Sequence, residues 1–378
     1  VAIRPSAEQY PAGPAGGNRP GALRSSAAAM LGSEDIPAQE HAMRTLITVV
    51  IVSVVLPCLV CPSARAQTEA KADGAPGDVP RTPWGDPDLQ GVWDYRTITP
   101  LQRPEEFGDR QYFTAEEVER LEENAAGRLD EPPDTSVQTG LVHAVYLTDP
   151  GVSVDESHRT SLIVDPPNGR IPELTESART AQALRARERA RFAAEGPRDM
   201  SRPWLDRPLY ERCISRGFPQ AILPTLYNNN IEIVQAPNHV AIVHEMIHET
   251  RVVPLDGREF SGIPSFMGES VGHWEGDTLV IETRNFNGLT PYRGSTESLI
   301  VTERYTRTGP ERIDFTMTLS DENAWARPWT VAYQMRPTDG YLYEYACHEG
   351  NRGLQNILEN IYDAAEAEAS GASTEASQ

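Results

Sequence analysis

The sequence predicts a mainly β protein, an antiparallel meander closed into a lipocalin-like barrel with two or three peripheral helices; a two-sheet β-sandwich is the alternative. Three observations predict it. From Asn230 onward, short runs of β-branched and aromatic residues alternate with turn residues, the pattern of successive hairpins. A Gly-x-Trp, Gly91-Val92-Trp93, stands at the expected first strand. A helix with one apolar stripe follows the last run, which completes the layout of a small closed barrel.

In chain order, structure is expected to begin at Pro83-Trp84-Gly85-Asp86-Pro87, after an Ala, Gly, Pro and Asp-rich leader over 67–82. Thr114 and Glu117 have capping-box spacing, and with Val118 and Leu121 they predict a helix over 115–126. Leu141–Leu147 and Thr160–Val164 predict strands, the second leading into the turn Pro166-Pro167-Asn168-Gly169. A helix over 177–194 should end at Gly196-Pro197, with Arg179, Arg185, Arg187, Arg189 and Arg191 as a solvated face. Four hairpins follow. They pair Ile231–Ala236 with Val240–Val253, Val271–Glu275 with Thr278–Arg284, Leu299–Thr306 with Arg312–Thr318, and Trp329–Met335 with Tyr341–Cys347. Asn351 can cap a last helix whose Leu354, Ile357, Leu358 and Ile361 fall at i, i+3, i+4 and i+7, so one face should lie on the sheet.

Residues 43–66 carry the three parts of a cleavable secretory signal: Arg44, the apolar run Leu46–Val60 and the small-x-small site Ala64-Arg65-Ala66. Pro57 interrupts the run, which is shorter than the ~20 residues of a membrane span, and Val60 breaks any lipobox before Cys61. The expectation is export to the periplasm or beyond, with no stable membrane insertion after cleavage. Residues 1–42 read as the product of a start codon called too early, with Met43 the expected start. A single mainly β domain is then expected over 83–362, and 363–378 as a disordered acidic tail. The net charge of −21 disfavours nucleic-acid phosphate and anionic membrane surfaces as partners. Loss of Cys58 and Cys61 with the signal leaves Cys213 and Cys347, which in an oxidising compartment should form a disulfide.

The most conspicuous motif is His244-Glu245-Met246-Ile247-His248, which matches the zincin pattern H-E-x-x-H. That motif needs a helix, to place both imidazoles on one face. Here the flanking Val240, Ile242, Val243, Val252 and Val253 favour a strand, in which residues four apart stand about 13 Å from each other. The strand reading puts Glu245, Glu249 and Arg251 on one face and His244, Met246, His248 and Thr250 on the other. A second group surrounds the expected bridge, which would bring Arg212 and Arg216 toward His348 and Glu349 as an acid–base set or an ion-pair network. Asn229, in the turn signal Asn228-Asn229-Asn230, and Trp274, in a predicted strand, are candidate ligand contacts. With no Gly-rich phosphate loop, no G-x-S-x-G elbow and no paired-cysteine metal site, no metal or cofactor is expected.

The segments PWGDPDLQGVWD, RTSLIVDPPNGRIP, RCISRGFP, YNNNIEIVQAP, EMIHETRVVPLDGR, HWEGDTLVIETRNF and ARPWTVAYQMRPTDGYLYEYACHEGN together resemble a family of exported bacterial proteins with no assigned activity. The resemblance spans about residues 83–360. It begins within the zincin-like motif at Glu245, leaving His244 outside, and takes in His248, Arg251, His348, Glu349 and Asn351.

The leading functional expectation is binding of a small molecule in a barrel mouth or sheet cavity. The catalytic alternative is a cofactor-independent lyase, isomerase or hydrolase with His248, His348, Glu245 and Glu349 as acid–base groups and Arg251, Arg212, Asn229 and Trp274 as ligand contacts. A zinc peptidase ranks behind both.

Overall fold

Strict alternation of side chains, one into a dry interior and the next toward solvent, runs through the C-terminal strands of the computed structural model, which describes residues 79–129, 149–349 and 351–375. The signal, most of the leader and the strand expected at 141–147 lie outside those residues. The strands are β1 (Gly91–Asp94), β2 (Ile163–Asp165), β3 (Asn230–Ala236), β4 (His239–His244), β5 (Thr250–Pro254), β6 (Glu269–Glu275), β7 (Thr278–Arg284), β8 (Ile300–Gly309), β9 (Arg312–Ser320) and β10 (Trp329–Pro337). All pair antiparallel in the order β5-β4-β3-β1-β10-β9-β8-β7-β6, with β2 joined to β10 off that path. The result is one nearly closed barrel, as the sequence predicts, and not two packed sheets.

The closure has a physical limit built into its topology. Direction alternates along the nine strands of the path, so the two edges, β5 and β6, point the same way and would have to pair parallel. They close by side-chain packing instead. At Gly272 on β6, a Cβ would stand 2.9 Å from Leu255 Cδ2 and 3.0 Å from Val253 Cγ1, so glycine is what lets the edges approach. Nearer the start of both strands, Arg251 and Ser270 meet across the seam at 3.4 Å.

Hairpins form where the turn chemistry demands them. Gly276, at the first position of the two-residue turn between β6 and β7, has φ 60°, which suits the twist of the flanking strands. The expected strand 240–253 is a hairpin of its own: β4 stops at His244 and β5 starts at Thr250. The turn between them holds Ile247 at φ 60° and His248 at φ 54°. The expected strand Tyr341–Cys347 does not form, and Tyr341 and Tyr343 are 82% and 75% exposed. Trp329–Pro337 finds its partners in β9 and β1 instead. Of Thr160–Val164, only Ile163 onward is strand.

The interior is filled by rings. Trp93, Tyr95, Phe218, Tyr305, Phe315, Trp329 and Tyr333 are all at most 1% exposed, and Tyr305, Phe315 and Tyr333 pack in series at 4.9 and 4.8 Å. Truncating one such ring to Ala costs about 3–5 kcal/mol. Tyr95 and Tyr333 keep their hydroxyls satisfied by donating to the carbonyls of Ala221 and Ile222. This packing leaves the barrel axis to protein atoms.

Three helices decorate the sheet. α1 (Ala115–Leu129) has the expected capping box: Glu117 Oε2 accepts from Thr114 N at 2.8 Å and Thr114 Oγ1 from Glu117 N at 3.3 Å. It helps build a small satellite core with Phe113 and Val154. α2 (Glu176–Glu195) is capped by Thr175 and is nearly all solvated, with Ala178 its one buried residue, in agreement with the Arg-rich reading. α3 (Arg352–Glu375) is capped by Asn351 Oδ1, which accepts from Leu354 N at 3.0 Å. It rests on the turn Pro203–Asp206 with its apolar stripe half-buried, and it continues past Tyr362 into the acidic stretch. No helix among the described residues is long and apolar enough to cross a membrane.

Candidate functional site

The turn after β4 is the most strained backbone near the predicted site, because positive φ is unfavourable for a β-branched residue such as Ile247. Neighbouring contacts hold it. Glu245 Oε2 accepts from the backbone and side-chain nitrogens of Asn230 at 3.1 and 2.8 Å, and His248 Nδ1 accepts from Tyr345 N at 2.8 Å. Beneath lies a set of hydroxyls: Tyr210 meets Tyr227 at 2.6 Å and Tyr345 at 3.4 Å, and donates toward Met246 Sδ at 3.7 Å. Burial raises the Tyr210 phenol and pushes Tyr227 up to about 12, so neither is a base near neutrality.

The disulfide Cys213–Cys347 is present, with Cα atoms 5.6 Å apart. It ties the segment after β10 to the 208–217 loop, helped by Asn351 Nδ2, which donates to Glu211 O at 3.0 Å. It does not gather the charged set expected around it. His348 and Glu349 are exposed, and Arg216 lies over the Tyr210 ring at 4.6 Å. Arg212 is half-buried and has no ion-pair partner among the described residues.

Arg251 lies on the interior side of β5 and meets Glu303 of β8 through two contacts, Nη1–Oε2 at 2.7 Å and Nη2–Oε1 at 2.9 Å. Tyr305 donates to Glu303 Oε1 at 2.7 Å. Arg251 Nε reaches His244 Nε2 at 3.3 Å, Nη1 lies 3.4 Å from both Ser270 Oγ and Thr283 Oγ1, and the guanidinium sits 3.9 Å from the Phe218 ring centre. Burial works against the charge on Arg251, but the Glu303 carboxylate and Tyr305 together outweigh it, so the guanidinium is held above its usual basicity. Burial first and Arg251 second push the His244 imidazole well below its ordinary range, so it is the neutral acceptor in this pair.

His244 therefore stands at the heart of the interior cluster, contrary to the expectation that it lies apart. The two histidines of the motif face different surroundings, because the segment is neither helix nor continuous strand. Among the described residues, no group of three or more His, Cys, Asp and Glu side chains is placed to share a metal ion. The buried Asn229 amide is engaged by Thr225 of its own loop and donates to the distant Asp149 carbonyl, so it braces the chain and does not line the cleft between β5 and β6. Trp274 is half-buried against the core, and its indole N–H meets no acceptor.

A cleft of about 510 Å³ opens at the β5–β6 seam, lined by Glu249, Thr250, Arg251, Val252, Arg258, Ile263, Phe266, Met267, Glu269 and Ser270 among others. Two of its groups, Glu249 and Glu269, are not among the residues the sequence puts forward as site residues. Burial raises the Glu249 carboxyl above the ordinary carboxylate range, opposed by hydrogen bonds from Ser215, Arg216 and Gly217. Its Oε2 accepts from Arg216 N at 2.7 Å. Glu269 accepts from Ser261 N at 2.6 Å, Gly262 N at 3.0 Å and Asn285 Nδ2 at 2.7 Å. Glu303 is not put forward by the sequence either, although a carboxylate two residues from both Val301 and Tyr305 on the apolar face of a strand is a signal that could have found it. The sequence places Glu249 beside Arg251 on a strand face, with no signal of its burial. No family model matches the chain, and no curated protein or solved structure is significantly similar to it.

Proposed function

We propose that the protein works outside the cytoplasm and binds a small molecule in the seam cleft between β5 and β6. The observation that carries this is a cleft that combines an apolar wall open to solvent, with Val252 61% and Ile263 70% exposed, and a polar floor held rigid by the Arg251–Glu303–Ser270–Thr283 cluster. Ligand sites are built this way, with mostly apolar walls and a few fixed polar groups. The disulfide supports the compartment, since such bridges persist where thiols are oxidised. Because rings fill the barrel axis, the seam replaces the barrel mouth as the place for a ligand.

The test is a fragment screen by methyl NMR on the folded domain, repeated with Ile263→Trp, which fills the cleft from an exposed position. Hits should shift the methyls of Val252, Ile263 and Met267, and the variant should lose them. Hits that map elsewhere, or survive the variant, would remove the proposal.

Catalysis without a cofactor is the second reading, favoured by the Glu249 carboxyl in the cleft, which burial raises above the ordinary carboxylate range. It predicts that Glu249→Gln abolishes turnover while binding survives. Its acid–base residue would be Glu249 rather than the exposed His348 and Glu349.

A further inference from the structure

The geometry points to an organic cation as the ligand of the seam cleft: a small amine or quaternary ammonium, its charge between Glu249 and Glu269 and its apolar body against Val252, Ile263, Phe266 and Met267. This rests on the cleft being a binding site.

The argument is a missing countercharge. Both carboxylates line the cleft, and every donor that reaches them is neutral: the Ser215 and Ser261 side chains, backbone nitrogens of Arg216, Gly217, Ser261 and Gly262, and the Asn285 amide. Each cation nearby is engaged elsewhere. Arg258, which also lines the cleft, is paired with Asp256 at 2.6 Å. Arg251 is neutralised by Glu303 at 2.7 Å. Arg284, the cross-strand neighbour of Glu269, binds Glu282 at 2.7 Å. The Arg216 guanidinium covers the Tyr210 ring.

Two carboxylates without a cation, one of them substantially desolvated, repel an anion and leave a neutral guest with uncompensated charge beside it. A bound ammonium supplies the countercharge and forms charge-assisted hydrogen bonds; a quaternary ammonium supplies the charge alone. The exposed Val252 and Ile263 give the organic part a surface that a hydrated metal ion or a free ammonium ion would not use.

The experiment uses the whole domain and four probes of similar shape: benzylammonium, benzyltrimethylammonium, phenylacetate and benzyl alcohol, titrated by calorimetry and methyl NMR. Both cations should bind and shift the cleft methyls, with phenylacetate at least about tenfold weaker. Glu249→Gln and Glu269→Gln should each weaken the cations about tenfold or more, as expected for loss of a charge-assisted contact. For benzyltrimethylammonium, whose charge does not titrate, affinity should rise as pH increases through the raised Glu249 range, and Glu249→Gln should flatten that rise. Since Glu269 also clamps the 261–262 backbone, Ile263→Lys serves as a second variant. It sets a cation at an exposed position of the wall and should reduce cation binding without touching either carboxylate.

Equal or tighter binding of phenylacetate or benzyl alcohol in the cleft would overturn the cation while leaving the binding site standing. So would a fragment screen that marks the cleft with no cation among its hits. Cation binding indifferent to all three variants would overturn the assignment to this cleft. Failure of every probe, together with an empty fragment screen, would remove both readings.

Discussion

Replacing Glu303 by Gln keeps the side chain's shape and removes its charge, and the structure makes the consequence severe. Arg251 is 4% exposed and Glu303 0%, so water cannot replace the lost partner. One of the two contacts, at 2.7 and 2.9 Å, would become a hydrogen bond from the guanidinium to a neutral amide oxygen, and the other would face the amide NH₂ of the new side chain. Tyr305 would lose a charged acceptor as well. Removing one member of a buried pair costs about 3–5 kcal/mol. At about 2–4 °C per kcal/mol for a large domain, the melting temperature should fall by roughly 6–20 °C. Urea unfolding followed by tryptophan fluorescence measures the free-energy loss, and thermal unfolding measures the shift in melting temperature. The paired replacement Arg251→Met with Glu303→Leu should be much milder than either single change, since it leaves no buried charge. A Glu303→Gln loss below about 1 kcal/mol, or a double variant no better than the singles, would refute the buried-pair account.

Three further outcomes follow from the same packing. Because the His244 imidazole is held well below its ordinary range in the fold, only the unfolded chain takes up that proton: the contribution is full above about pH 6.5 and is lost as pH falls below it, by up to ~1.4 kcal/mol per unit. The difference in stability between wild type and His244→Gln should therefore shrink on acidification, and a constant difference from pH 7 to 5 would contradict it. Cys213→Ser opens a loop with a sequence separation of 134 and should cost about 2–5 kcal/mol without reductant, read by chemical unfolding; two thiols titrating in unfolded, unreduced wild type would rule out the bridge. Gly272→Ala places a methyl near 3 Å from Val253, Leu255 and the Val280 carbonyl and should destabilise by about 1–3 kcal/mol in the same assay; an unchanged midpoint would show that the seam does not rely on that close approach.

What could be read from the sequence divides along local and non-local lines. The capping box at Thr114 and Glu117, the Gly276-Asp277 turn and the Asn351 cap are each decided within a few residues, and they stand where the pattern puts them. The β-branched residues on either side, Val240, Ile242, Val243, Val252 and Val253, hid the turn at 245–249, because no glycine or proline announces it and the positive φ of Ile247 and His248 is sustained by distant partners, Asn230 and Tyr345. Tyr341–Cys347 has strand composition but does not find β10 free, since β9 pairs Trp329–Met335 on one side and β2 and β1 take the two ends of the other. The bridge was legible by counting cysteines. The geometry around it was not, because a disulfide fixes two Cα atoms and says little about where the neighbouring Arg212 or His348 side chains point.

The same distinction locates the candidate site. A meander of nine alternating strands cannot bring its ends together antiparallel, so a seam is a property of the topology before any residue is chosen. Sequence then decides what each part of the seam becomes. Where Gly272 faces Val253 and Leu255, apolar side chains fill it. Where Arg251 faces Ser270, each polar group requires partners, and Glu303, Thr283 and His244 provide them from within. Outward of that cluster, Glu249 and Glu269 have hydrogen-bond donors and no cation. The interior polar network is thus the structural requirement of an odd-stranded closure, while the uncompensated carboxylates beside it are what that requirement leaves unexplained. Function is best sought in the second set, because the first is accounted for by stability alone.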